Sequence, residues 1–319
     1  MRIVFLATGE IALPTLDWLL RSRHDLAALV TQPDKPVGRS GSKTRPPRVK
    51  TVAQAAGMPV LQPRRCRKPQ AVEQIAAFEP EVLLVMAYGQ ILPKSLLTVP
   101  RIAPINLHAS LLPRHRGAAP VHAAILSGDS RSGITVMYVA EGLDTGDMLL
   151  KRELEIGPRE TAGQLHDRIA QLTPDALSEA LDLLEAGSAP RQPQADSLAT
   201  YAPKLDRHMG RIDWNRPAED LDRLIRGLHP WPGTWTTLPR GEKRVRLKLH
   251  CAEPLETESA RENSPPGTVL STGPEGITIA CGGETTLCLG EAQPEGKTAM
   301  KANELANGSY LTPGIRLGG

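Results

Sequence analysis

Asn106, His108 and Asp144 are an amide, an imidazole and a carboxylate that the chain can bring together. In Ile105-Asn106-Leu107-His108, the period-two alternation of a strand puts Asn106 and His108 on one face and Leu107 on the other. Further on, Gly142-Leu143-Asp144-Thr145-Gly146 holds a carboxylate between two glycines, which let the loop fold tightly back toward the strand end. An amide can donate a hydrogen bond to an oxygen that becomes anionic, as in acyl transfer. An imidazole can move protons near neutral pH or donate to the same oxygen. A carboxylate beside it would orient the ring and balance a positive charge on it. No Ser or Cys is obviously activated, so direct attack by an external nucleophile on an activated acyl donor fits the three groups better. Taken alone, Asn-x-His at a strand end is a weak signal, and an Asp between glycines is usually a turn residue.

The elements around these residues supply the context. Arg2 to Ala7 reads as a buried strand, and Pro14 opens a helix with Leu16, Leu19 and Leu20 on one side. Strands follow over Leu26 to Val30, Met58 to Leu61 and Val82 to Ala87, separated by helices over Val49 to Ala56 and Gln70 to Phe78. Apolar strands alternating with helices predict a mostly parallel sheet covered on both faces, a Rossmann-like α/β domain. Ligands of such sheets bind outside the carboxyl ends of the strands, where Ile105 to His108 runs out into Ser110-Leu111-Leu112-Pro113. Ile134 to Val139 and Met148 to Ile156 read as strands that could pair, and Thr161 to Glu185 as a long helix with Gly187 just past its end.

The predicted organisation is a catalytic domain over 1–187, a linker over 188–206 rich in Ala, Pro, Gln and Ser, and a second domain over 207–319. In this second domain a single helix, Pro217 to Gly227, precedes short alternating segments separated by turns rich in Gly and Pro, which suggests a smaller, OB-like β-barrel. Trp214, Trp231 and Trp235 are expected to fill its core.

Bulk properties narrow the class. Hydrophobic residues make up 40% and charged residues 23% of 319 residues, as in a soluble globular protein of two domains. A net charge of +3 neither demands nor excludes a nucleic-acid partner. Cys66, Cys251, Cys281 and Cys288 form no Cys-x-x-Cys pair, so four reduced thiols and no metal site are expected. The apolar run Ile3 to Ala7 is too short for a signal peptide, and no stretch approaches about 18 uninterrupted apolar residues. No membrane association is expected, and cytoplasm is the default location.

The block Asn106-Leu-His108-Ala-Ser110-Leu-Leu-Pro113-Arg-His-Arg-Gly117-Ala-Ala-Pro120, continuing to Gly142-Leu-Asp144-Thr-Gly146-Asp147-Met148, resembles the 10-formyltetrahydrofolate-dependent formyltransferase superfamily, and within it the tRNA-directed branch. The resemblance extends to Thr31-Gln32-Pro33-Asp34-Lys35, Ala87-Tyr88-Gly89 with Ile91-Leu92-Pro93, Ile212-Asp213-Trp214 and Pro230-Trp231-Pro232. It implies that Asn106, His108 and Asp144 are the catalytic trio. It also implies that Ser110, Leu111, Leu112 and Pro113 line the folate site, with Tyr88, Gly89 and Ile91 along the pterin pocket. The implied reaction is attack by the amino group of methionine, esterified to initiator tRNA, on the formyl group of a folate co-substrate, with no tightly bound cofactor. A monomer is the family-level expectation. One segment departs from the family pattern: Gly-Thr-Pro-x-Phe-Ala usually follows the first strand, and here it is Ala7-Thr8-Gly9-Glu10-Ile11-Ala12.

From Lys35 to Lys68 there are ten Lys or Arg and no Asp or Glu, and the glycines and prolines near its start predict a mobile loop. A flexible basic loop beside the sheet's carboxyl end suits docking onto phosphates. The resemblance implies that Arg39 is the key arginine of an inserted loop reaching the acceptor stem, with Lys43 and Arg45 beside it. A second basic patch, Arg244, Arg246 and Lys248, falls on one face of a strand and either contacts the tRNA backbone or is the wet face of the barrel. The competing enzyme is a formyltransferase acting on a sugar-nucleotide amine or a ribonucleotide, which should lack the long basic loop. A non-catalytic RNA-binding protein on the same scaffold should have lost one of the trio. A dinucleotide-dependent oxidoreductase is disfavoured because the first turn lacks G-x-G-x-x-G.

Overall fold

The computed structural model describes residues 1–37, 43–255 and 264–318. The chain divides into two compact units. The first comprises Met1–Pro120, Arg131–Glu155 and His166–Ala202; the second comprises Val121–Ser130, Ile156–Leu165 and Pro203–Gly319.

In the first unit, strands β1 (Arg2–Ala7), β2 (Asp25–Val30), β3 (Lys35–Val37), β4 (Lys43–Arg45), β5 (Val60–Leu61), β6 (Val82–Met86), β7 (Ala103–His108), β8 (Arg116–Gly117), β9 (Arg131–Tyr138), β10 (Met148–Glu155) and β11 (Tyr201–Ala202) succeed one another. Seven of them form one sheet in the order β10-β9-β7-β6-β1-β2-β5. The strands from β5 to β7 along this order run parallel, whereas β9 is antiparallel to β7 and β10 to β9. The expected Rossmann-like sheet is therefore present, with its two last strands paired. Residues Ile3 to Ala7 of β1 and all of β6 are buried, which is why their sequences are apolar throughout and do not alternate. The chain passes from β1 to β2 on one side and reaches β6 on the other, so a topological switch lies between β1 and β6. Helices Leu13–Arg21, Arg48–Ala55 and Pro69–Ala76 present buried Leu16, Leu19, Val49, Ala53, Ala71 and Ile75.

The basic segment after Lys35 differs in part from the expected loop. Its described ends, β3 and β4, pair as antiparallel strands with Lys35 opposite Arg45. Extended residues at both ends satisfy one another's backbone groups there. Arg39 lies outside the described residues.

The expected linker is divided between the units, with 188–202 in the first and 203–206 in the second. Gln192 and Met148 exchange backbone hydrogen bonds of 2.9 and 2.8 Å, and β11 pairs in parallel with β8. Without hydrophobic periodicity such a strap carries no strand signal in sequence, yet its backbone is bonded in place.

In the second unit, β12 (Thr234–Arg240), β13 (Lys243–Leu255), β14 (Val269–Thr272), β15 (Ile277–Ala280), β16 (Thr286–Pro294) and β17 (Met300–Lys301) form a curled antiparallel half-barrel. Its path is β12-β13-β16-β15-β14, with β17 on β16. Helix Ala218–Gly227 joins its core, in which Trp214, Leu221, Ile225, Leu247, Ile279 and Leu289 are buried. Of the three tryptophans expected there, Trp214 is buried, but Trp231 is 52% exposed. Trp231 sits in the turn before β12, where no strand face points it inward. Trp235 is partly buried and carries the Arg246 guanidinium 4.3 Å over its ring.

Candidate active site

Three strand ends converge at the carboxyl edge of the sheet. The Gly9 N–H donates to the Ala87 carbonyl at 3.2 Å, and the Thr8 hydroxyl to the Tyr88 carbonyl at 3.0 Å. Gln32 Nε2 donates to the same Tyr88 carbonyl at 3.1 Å, tying the segment after β2 to the segment after β6. The first loop that departs from the family pattern is thus held at Gly9 by its own amide. Beside this cluster, β7 places Asn106 opposite Val85 on one side and Met137 on the other, and His108 opposite Thr135. Strand alternation keeps Asn106 and His108 on one face, with buried Leu107 on the other.

His108 is 5% exposed, and both ring nitrogens have partners. Its Nε2 lies 2.9 Å from the His115 carbonyl oxygen. A carbonyl only accepts, so Nε2 carries a proton. That leaves Nδ1 as the nitrogen available for chemistry, and it lies 3.6 Å from Asp144 Oδ2. The carboxylate is fixed in turn: the Gly117 N–H donates to the same Oδ2 at 2.8 Å. Asp144 takes a φ of 52°, a left-handed conformation uncommon outside glycine and better tolerated by Asp than by most residues. At Gly146, two residues on, a Cβ would come within 1.8 Å of the Tyr138 carbonyl oxygen, so only glycine lets the loop cross β9 this closely. Amide, imidazole and carboxylate therefore belong to one strand end and one loop folded back on it.

Sequence reasoning missed the residues that hold this loop. Gln194 Nε2 donates to the carbonyls of Asp144 and Gly146, each at 2.8 Å. Gln194 Oε1 accepts from Arg116, whose guanidinium also reaches Asp196. Thr200 Oγ1 accepts from the His115 N–H at 2.8 Å. These residues lie in a polar, aperiodic stretch, so no pattern marks them. Thr135 was also missed: its hydroxyl donates to the Ser110 carbonyl at 2.7 Å and accepts from the Leu112 N–H at 3.1 Å, pinning the segment after β7. A lone Thr inside the apolar run of β9 was the available signal.

The residues expected along the folate site are placed unevenly. The Ser110 side chain is fully buried and donates to the Arg114 carbonyl at 2.7 Å. Leu112 is buried in a small cluster with Met137 and Met148, whereas Leu111 and Pro113 are partly exposed. Tyr88 turns its ring into the core beside Cys66, and burial raises both the phenol and the thiol above their ordinary values. Gly89 and Ile91 are exposed, Ile91 to 86%. Above β9, the Arg191 guanidinium lies 3.7 Å over the Tyr138 ring, whose hydroxyl is raised by burial against the opposing pull of that cation.

Of the basic residues, Arg45 is exposed on β4, and Lys43 begins the same strand. In the second unit, Arg244, Arg246 and Lys248 are exposed at alternate positions of β13. Arg244 donates to Thr237 Oγ1 and to the Gly318 carbonyl, and Arg240 lies 4.3 Å over the Tyr310 ring. Among the described residues, no group of three or more His, Cys, Asp or Glu is arranged to hold a metal ion, and no helix is long and apolar enough to cross a membrane.

Two family models match the chain: formyl transferase over residues 1–181 and the formyl transferase C-terminal domain over 204–310. A methionyl-tRNA formyltransferase of Geobacter metallireducens is 45% identical over 318 residues, covering 100% of this chain and 99% of that one. One of Akkermansia muciniphila is 46% identical over 309 residues, covering 97% and 96%. Among solved structures, the sugar 3N-formyl transferase WlaRD shares the fold at a TM-score of 0.65 and 14% identity, covering 93% of this chain and 99% of that one. With matches spanning both units, the chain belongs to the formyl transferase family.

Proposed function

We propose that this chain transfers the formyl group of 10-formyltetrahydrofolate to the free amino group of methionine on initiator methionyl-tRNA, giving N-formylmethionyl-tRNA for translation initiation. The observation that carries this reading is identity of about 45% to curated methionyl-tRNA formyltransferases across essentially the whole of both chains. The protein acts as a monomer in the cytoplasm.

The chemistry follows from the trio. The neutral methionine amine attacks the formyl carbon, forming a C–N bond and an oxyanion. The Asn106 amide donates to that oxygen, and so does His108 through Nδ1, since Nε2 is committed to the His115 carbonyl. Asp144, beside Nδ1, balances the charge on a protonated ring and helps take the proton off the attacking amine. The bond from the formyl carbon to the folate nitrogen then breaks, and that nitrogen takes a proton. Leu111, Pro113, Gly89 and Ile91 offer side chains or exposed backbone to the folate. Ser110, Leu112 and Tyr88 shape the site from behind through the backbone they anchor.

For the tRNA, the exposure of Arg45 on β4 and the basic sequence that includes Arg39 and Lys43 support a phosphate-docking segment, and the exposed Arg244, Arg246 and Lys248 support a second contact along β13. The test is formyl transfer from labelled 10-formyltetrahydrofolate to charged initiator tRNA, charged elongator methionyl-tRNA and a nucleotide-linked amino sugar. Transfer confined to the initiator supports the proposal. Preference for the sugar amine would overturn it.

A further inference from the structure

We infer that Gln194 is a positioning residue for formyl transfer, whose amide latches the loop that presents Asp144. The inference rests on the role proposed for Asp144 in that reaction. Both protons of Gln194 Nε2 are used, one on the Asp144 carbonyl and one on the Gly146 carbonyl, each at 2.8 Å. The other end of the same amide accepts from Arg116 Nε at 3.0 Å and Arg116 Nη2 at 2.9 Å. That guanidinium is 2% exposed and is also paired with Asp196 at 2.8 Å. Arg116 is followed by Gly117, whose N–H holds Asp144 Oδ2. The four residues thus close a circuit. Gln194 grips Asp144 by its backbone and, through Arg116, steadies the strand whose next amide grips the carboxylate.

The site selects for glutamine. It requires two donors on one atom, facing two carbonyl oxygens, and an acceptor on the next, facing a guanidinium. Glu would keep the Arg116 contact but turn a carboxylate oxygen toward two carbonyls with no proton to share. Asn is a methylene too short to span the same groups. Asp144 is held at a φ of 52°, so releasing two carbonyls of its loop removes bonds that oppose relaxation of that conformation. Gln194 itself is only partly buried, and its immediate neighbours Pro193 and Ala195 are exposed, so its loss falls on the geometry of the loop more than on the fold.

The test uses the full chain and single-turnover formyl transfer to charged initiator tRNA. For Gln194→Glu, the rate at saturation falls roughly 10- to 100-fold, as for a displacement of about 1 Å at a reacting centre. KM for both substrates stays within about twofold, because no ground-state contact is lost. In an Asp144→Asn background the same substitution costs less than about threefold, since the carboxylate it positions is gone. Gln194→Met, of similar reach and uncharged, gives the same pattern and serves if Gln194→Glu does not fold. Full cost in both backgrounds, a change confined to KM, or near wild-type rates for both Gln194 variants would overturn the positioning role. A wild-type rate for Asp144→Asn alone would instead remove the assignment of Asp144.

Discussion

Gly117 and Asp144 meet through a 2.8 Å hydrogen bond from backbone amide to carboxylate, although 27 residues separate them in sequence. The bond is possible because Gly117 has a φ of 125° and lies so close to β11 that a Cβ would approach the Ala202 carbonyl oxygen to 2.5 Å. Gly117→Ala must therefore push β8 from β11 and carry the amide away from Asp144. We expect it to lose about 1–3 kcal/mol of stability from the strained backbone. Its formyl-transfer rate should also fall. Gly187→Ala is the control: its φ is 66°, but nothing lies within 4 Å of the added carbon, so thermal unfolding should shift without loss of rate.

Thr135 pins the segment after β7 through its buried hydroxyl. Replacing its hydroxyl by the isosteric Thr135→Val leaves the Ser110 carbonyl and Leu112 amide without their bridge in a fully buried position. The expected cost is about 1–3 kcal/mol in unfolding free energy. The segment 110–113 would then loosen, and KM for the folate should rise more than KM for tRNA. Unchanged folate kinetics would separate this segment from folate binding.

Phosphate contacts predict a salt signature. Replacing Arg244, Arg246 and Lys248 together by alanine should weaken tRNA binding and flatten the plot of log affinity against log salt. Each lost contact removes roughly 0.7–0.9 from the slope. Titrations at several salt concentrations read this directly. An unchanged slope would return these residues to the solvated face of the half-barrel.

His24 gives a pH dependence of stability. Burial, and next the nearby N-terminal ammonium, lower its imidazole below the ordinary 6.5. The folded state thus favours the neutral ring, so its contribution is complete above 6.5 and is lost as pH falls from there through the folded value. The midpoint of thermal unfolding should drop between pH 7.5 and 5.5, about one unit either side of the ordinary value. His24→Gln should show a smaller drop over the same interval.

How much of this was legible depended on the length scale of the signal. Continuous apolar runs such as Val82–Met86 and the alternation of Asn106, Leu107 and His108 announce buried strands and a shared face because each residue's environment repeats along the chain. The strap from Gln192 to Ala202 repeats nothing. Its residues are fixed one by one to Met148, Asp144, Arg116 and His115, and single side-chain bonds leave no period to detect. Trp231 illustrates the converse, since a large apolar side chain in a turn lacks the strand face that would bury it. Ser110 and Leu112 lie in a matched motif, yet their side chains point into the protein, because a motif preserves backbone placement as readily as contact.

Single-turnover formyl transfer by Asn106→Ala, His108→Ala and Asp144→Asn, each confirmed as folded, addresses the convergence of amide, imidazole and carboxylate on one carbonyl carbon. The assignment predicts that each variant binds both substrates and transfers formyl roughly 100- to 1,000-fold more slowly than the parent chain. Near-parental rates for Asn106→Ala or Asp144→Asn would contradict it.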